Sequence, residues 1–209
     1  PYPEGYAIIA DRMSGRTDTH EYWGSARDRL PRSQTDPLLA RSIPEIASDL
    51  DGRQTLGRHV RIKPHENLCL LRSGQDWSET GRIERAFYFD KVKPYLDKGM
   101  MEIRDKGAPV GCFFNRYMTL FEHERDLEKS YSLSAWHSLA ELEAWVQAET
   151  HLAIWGAGIR HYNKAGDHAK LRLYHEMFVL RVEDQAFEYF NCNANTGMLN
   201  AIHRIHAGL

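Results

Sequence analysis

Two histidines in the last third of the chain, His151 and His175, sit where an imidazole could do chemistry. His175 lies within LRLYHEMFVL (171–180), which reads as a strand. Side chains alternate along a strand, so Leu171, Leu173, His175, Met177 and Val179 share one face. A single titratable ring in an apolar row is either a hydrogen-bonded core residue or a working group in a pocket. With an ordinary pKa of about 6.5, it can hold a proton near neutrality and give it away. His151 opens the stretch HLAIWGAGI after an amphipathic helix, a helix-end position that the helix dipole favours. Ser73, in RSGQDW (72–77), shares a face with Cys69 and Leu71, so its hydroxyl enters an apolar region and needs a partner. Gly74 and Asp76 follow at once, and an N-cap or turn serine fits them equally well. Arg27, Arg29 and Arg32 lie close together and read as a solvated cluster unless one of them is drawn into a site.

The pattern of the chain predicts the elements that would carry these groups. YAIIADRM (6–13) reads as a strand, and Pro31, Pro37, Pro44, Gly52 and Gly57 predict short turns and loops over 31–58. RHVRIKP and NLCLLRS read as two short strands around a turn at Pro64 and His65. Ser78 is placed to cap a helical segment over 79–105, whose apolar positions include Ile83, Phe87, Val92, Leu96 and Met100, with a kink at Pro94. PVGCFFNRYMTLF and KSYSLSAW are strand candidates by their aromatic and β-branched content. Ser138 and Glu141 form a capping-box pattern ahead of Leu139, Leu142, Trp145 and Val146. After the His151 segment come the strand at 171–180, then FEYFNC, then a short C-terminal helix. From 66 to 180 the order is strand, helix, strand, strand, helix, strand. This is an α+β, ferredoxin-like (βαββαβ) arrangement, an antiparallel sheet with helices packed on one face. The division is a partial N-terminal α+β segment at 1–65 and a ferredoxin-like domain at 66–209.

Composition narrows the classes. The 209 residues are 42% hydrophobic and 27% charged, with a formal net charge of −2, enough to bury a core. No basic block marks a nucleic-acid or membrane-surface partner, and no apolar run approaches the roughly 20 residues that span a bilayer. Cys69, Cys112 and Cys192 are odd in number and form no C-x-x-C pair, which argues against a zinc site or a disulfide framework. A cytoplasmic setting is expected.

Several stretches, taken together and in order, resemble the haem-containing aldoxime dehydratases. They are YWGSARDRLPRSQTD (22–36), RSGQDW, GAPVGCFFNR (107–116), SLAELEAW with THLAIW (138–155), LRLYHE (171–176) and NCNANTGML (191–199). The resemblance covers about residue 20 to residue 199 and corresponds to the C-terminal portion of the family pattern. The family carries a further segment upstream, including a glutamate linked to proton delivery that has no counterpart here. Two other departures are a few extra residues in RHYNKAGDHAK (160–170) and Asn193, where many relatives carry histidine.

The resemblance implies a dimeric-α+β-barrel-like fold with a haem pocket between sheet and helix. It implies haem b, active in its ferrous form, with His151 as the axial ligand of the iron. Gly156, Ala157 and Gly158 are small enough to let a flat macrocycle approach. His175 matches the distal catalytic histidine, Ser73 the serine that hydrogen-bonds the oxime hydroxyl, and Arg29 the arginine that helps hold the leaving oxygen. The implied reaction is loss of water from an aldoxime, R–CH=N–OH, to give a nitrile. The oxime nitrogen would sit on the iron while His175 protonates the departing oxygen. Phe113, Phe114, Met118, Trp155 and Met177 read as core or as contacts for an aryl or alkyl substrate; a homodimer is compatible with this reading. Two other readings stay open: haem binding without turnover, and a haem-free α+β interaction module.

Overall fold

The structure is a computed structural model that describes residues 8–12, 27–28, 30–46 and 59–206. Its centre is an antiparallel sheet of β3 (Leu68–Asp76), β4 (Cys112–Glu122), β5 (Arg125–Trp136) and β6 (Arg172–Leu180). The spatial order is β4-β5-β3-β6. Between β3 and β4 come α1 (Arg82–Lys91) and α2 (Lys93–Lys106); between β5 and β6 come α3 (Leu139–Val146) and α4 (Glu149–Ala165). The βαββαβ order read from the sequence is therefore present; the segment expected over 79–105 is divided in two near the expected kink, and a further helix carrying His151 follows the capped one. The sheet is open, with β4 and β6 at its edges, so among the described residues it does not close into the barrel implied by the resemblance.

The division has a local cause. Ser78 does not cap a helix from 79, because Asp76 Oδ1 accepts from both the Ser78 N–H at 2.9 Å and the Ser78 hydroxyl at 2.6 Å. That pair closes a turn, and α1 begins at Arg82 behind Gly81. At Val92 the backbone stays in the right-handed helical region but with φ stretched to −117° (ψ −56°), which breaks the helix there. Pro94 then falls in the first turn of α2, where its missing N–H has no partner to lose. The start of α3 follows the capping pattern. The Ser138 hydroxyl accepts from Ala140 N–H and donates to Glu141.

Alternation along the strands sorts two cores. On the helix-facing side Cys69, Leu71 and Trp136 pack against Leu96, Met100 and Ile103 of α2 and Leu139, Leu142, Trp145 and Val146 of α3. Each such buried side chain contributes about 1.5–3 kcal/mol relative to exposure. The opposite face is covered at one end by a second antiparallel sheet. It is made of β1 (Glu45–Ile46), β2 (His59–Lys63) and β7 (Phe187–Phe190), in the order β1-β2-β7. The C-terminal helix α5 (Met198–His206) packs there too: Met198, Leu199, Ala201 and Ile202 meet Val60, Ile62, Leu68, Phe113 and Ala135. Helices thus lie on both faces rather than on one, because β3 and β5 are apolar on both faces at that end. Residues 8–9 form a 3-10 turn with exposed Ile8 and Ile9, not the strand expected there.

Candidate functional site

Strand register brings two of the expected residues together. Ser73 on β3 is the direct cross-strand partner of His175 on β6 and of Ser132 on β5. All three share the helix-facing side with Cys69, Leu71, Met177 and Val179, and the last four belong to or pack on the first core. Direct antiparallel partners have Cβ atoms about 4.5–5.5 Å apart, so the row presents imidazole, hydroxyl and hydroxyl side by side. His175 is reached by solvent, yet protein surrounds it closely enough that burial, with a smaller contribution from the nearby His151, lowers its pKa to about 4. A ring both wetted and enclosed lies in a concavity.

His151 stands in the first turn of α4 and is buried. Its Nδ1 lies 2.9 Å from the carbonyl oxygen of Val146, the last residue of α3. A carbonyl can only accept, so Nδ1 carries the proton, and one of the carbonyls left over at the end of α3 is satisfied. Burial pushes this pKa down to about 4, against a smaller opposing effect of the Val146 hydrogen bond. The ring is therefore neutral, and its Nε2 keeps a lone pair. This is the tautomer and backbone anchoring typical of a metal-ligating histidine. The Trp145 ring stands edge-on to it at a centroid distance of 4.8 Å.

Helical spacing sets Trp155, Gly158 and Tyr162 on the His151 face of α4. The Tyr162 hydroxyl donates to the Leu171 carbonyl at 3.0 Å, which turns this face toward the start of β6. The two surfaces that meet there stay open: Leu152, Trp155, Ile159 and Tyr162 on α4 and Leu173 on β6 are each exposed by 37–41%. Large apolar side chains left open on facing elements mark a ligand site. Gly158 is buried, yet a Cβ added there would meet nothing within 4 Å, so the helix backbone can approach a flat group. Of the three small residues singled out in the sequence, Gly158 alone has this placement. Ala157 is packed in a third cluster with Trp77, Tyr88, Val92 and Leu171.

Arg29 lies outside the described residues. Its neighbours are committed elsewhere: Arg27 forms a bidentate pair with Glu143 on α3 at 2.7–3.1 Å, and Arg32 pairs with Asp36. Phe113 and Phe114 pack in the second core, beneath α5, and Met118 pairs with Tyr131 across β4 and β5. Only Trp155 and Met177, of the five apolar residues considered, are on the histidine side. Two clefts open elsewhere, one beside the β4–β5 hairpin and one at the start of α1; neither is lined by His151, His175 or Ser73. The polar row of β5 escaped the sequence reading. Its signal was the spacing of Ser130, Ser132 and Ser134, which period-two alternation puts on one face.

Fold and site define an α+β protein with two neutral imidazoles facing an apolar cleft, one of them held in a metal-binding tautomer. The family model for haem-containing dehydratases matches residues 1–198, and the chain belongs to that family. It is 40% identical over 197 residues to an aliphatic aldoxime dehydratase of Pseudomonas chlororaphis, covering 93% of this chain and 54% of that protein. A phenylacetaldoxime dehydratase of Bacillus sp. (strain OxB-1) is 32% identical, over 88% of this chain and 52% of the relative. The chain spans about half the length of the curated relatives it matches. Among solved structures, an aldoxime dehydratase in complex with butyraldoxime superposes with a TM-score of 0.86 at 39% identity. The match covers 95% of this chain and 54% of that one.

Proposed function

We propose that the chain supports haem-dependent dehydration of an aryl or alkyl aldoxime to a nitrile and water. The observation that carries this reading is the pairing of Ser73 and His175 in direct register, beside an apolar cleft whose other wall holds His151 with Nε2 unprotonated. The residues suit haem: a neutral imidazole for the fifth coordination position, a helix backbone bared at Gly158, and open apolar surface on both sides. Bound there, haem would supply electron density that weakens the N–O bond of the oxime. His151 Nε2 would hold the metal, with the Val146 carbonyl fixing the ring plane.

Ser73 donates its hydroxyl hydrogen to the oxime oxygen and sets its direction. His175 delivers a proton to that oxygen as the N–O bond breaks and recovers one from the aldehydic carbon, so a molecule of water leaves with no net proton consumed. With a pKa near 4 the His175 ring is neutral in the chain alone; the negative charge that builds on the bound oxime oxygen favours its protonated form, which takes its proton from solvent, gives it to that oxygen and regains one from the aldehydic carbon. Arg29, by its match to the family, would add fixed positive charge beside that oxygen.

The test is the chain reconstituted with hemin, reduced anaerobically and given butyraldoxime or phenylacetaldoxime. Nitrile forms, and His175→Ala keeps the Soret band while losing roughly 10²–10⁴-fold in rate. Near wild-type turnover by His175→Ala would remove His175 from the mechanism. Haem uptake with no nitrile would favour haem binding without turnover.

A further inference from the structure

β5 carries three serines on its helix-facing side, Ser130, Ser132 and Ser134, exposed by 2%, 3% and 1%. Two of them are engaged. Ser130 donates to Gln75 Oε1 at 2.8 Å and lies 3.3 Å from the Tyr117 hydroxyl. Ser134 Oγ accepts from Trp136 Nε1 at 2.9 Å. No described residue hydrogen-bonds the side chain of Ser132 or of Ser73. These two hydroxyls are direct cross-strand partners, on the strand pair next to His175. Neither Oγ is sealed from solvent in the chain alone, although the residues are only 9% and 3% exposed; a ligand covering them would leave each hydroxyl in need of a partner. Serine–serine hydrogen bonds between such partners are a recurrent way of meeting that need. Direct partners have Cβ atoms about 4.5–5.5 Å apart, so rotamers that point the two hydroxyls at each other would bring them within hydrogen-bond reach.

We propose that Ser132 is a positioning residue for Ser73: its O–H donates to Ser73 Oγ, leaving the Ser73 O–H to point at the leaving oxygen. The chemistry sets this direction. A hydroxyl has one hydrogen to give, and Ser73 spends it on the substrate, so its lone pairs are the part that a neighbour can hold. A donor bonded there also polarises the Ser73 O–H and strengthens what it gives. The inference rests on the role proposed above for Ser73, and it predicts that Ser132 matters only while Ser73 has its hydroxyl.

The experiment uses the hemin-reconstituted, reduced chain with carbon monoxide as probe, read by the infrared C–O stretch. A hydroxyl directed at the bound diatomic lowers that frequency, so the band of Ser73→Ala lies above that of the wild type. Ser132→Ala is expected to move or split the band toward the Ser73→Ala position. Ser132→Thr, which keeps the hydroxyl, restores it. In the Ser73→Ala background the further change Ser132→Ala leaves the band where it was, the non-additivity of residues acting through one another. A wild-type band in Ser132→Ala, or a shift that survives undiminished in the double variant, overturns the proposal. A chain with no Soret band fails at the earlier step and overturns the haem reading itself.

Discussion

The depressed pKa of His151 can be read as a stability. The ordinary imidazole value is 6.5, and in the folded chain burial lowers it to about 4. Above pH 6.5 the ring is neutral in both folded and unfolded chains, and the shift costs nothing. As pH falls below 6.5, the unfolded chain takes up a proton that the folded chain refuses, so stability declines; by pH 4 the folded ring protonates too and the loss is complete. At 1.36 kcal/mol per pKa unit the full loss is on the order of 3 kcal/mol, of which about 2 kcal/mol has gone by pH 5. Other histidines are also shifted downward, among them the buried His65 and the solvent-reached His175, so the measurement is a difference. His151→Asn keeps an N–H for the Val146 carbonyl and removes the titration. Urea unfolding of both chains at pH 7.5 and pH 5 should show the parent losing about 2 kcal/mol more than the variant. Equal losses would refute the reasoning, because His151 would then not be held neutral by burial.

Substitutions at two glycines probe the cleft and the sheet. Gly158→Ala should raise the thermal midpoint, since alanine gains about 1 kcal/mol over glycine inside a helix and its methyl meets open space. Gly158→Phe should instead fill the slot and weaken hemin uptake in a spectral titration while the chain still folds; unaltered uptake would mean that no flat group lies against α4. Gly74→Ala would put a Cβ 1.9 Å from Tyr174 Cζ. That ring cannot easily retreat, because Arg72 stacks on it and bonds its hydroxyl at 2.9 Å. A loss of about 1–3 kcal/mol is expected in urea unfolding, and a neutral result would show that the ring is free to move.

Period-two alternation was enough to put His175 with Met177 and Val179, and Ser73 with Cys69 and Leu71, on matching faces. It could not show that Ser73 and His175 meet, because register is a property of strand pairs and β3 and β6 are separated by nearly half of the chain. The same limit hid Ser132, which looks like any polar residue until β5 is laid beside β3. The capping pattern at Ser138 and Glu141 is local chemistry and was legible. Ser78 misled for an equally local reason, as Asp76 two residues earlier captured it first. His151 read as the residue after a helix, whereas it begins a second one. The carbonyl that fixes its tautomer belongs to the first, a contact across the Gln147–Ala148 break. RHYNKAGDHAK read as a loop, but its first half continues α4 as far as Ala165.

The central claim is that His151 binds haem iron. Absorption spectra of the chain after hemin addition, oxidised and then reduced, test it most directly when paired with His151→Ala. The account predicts a Soret band that sharpens and shifts on reduction in the parent chain and is lost or strongly altered in the variant. A parent chain that stays colourless, or a variant whose spectrum matches it in both oxidation states, would contradict the account.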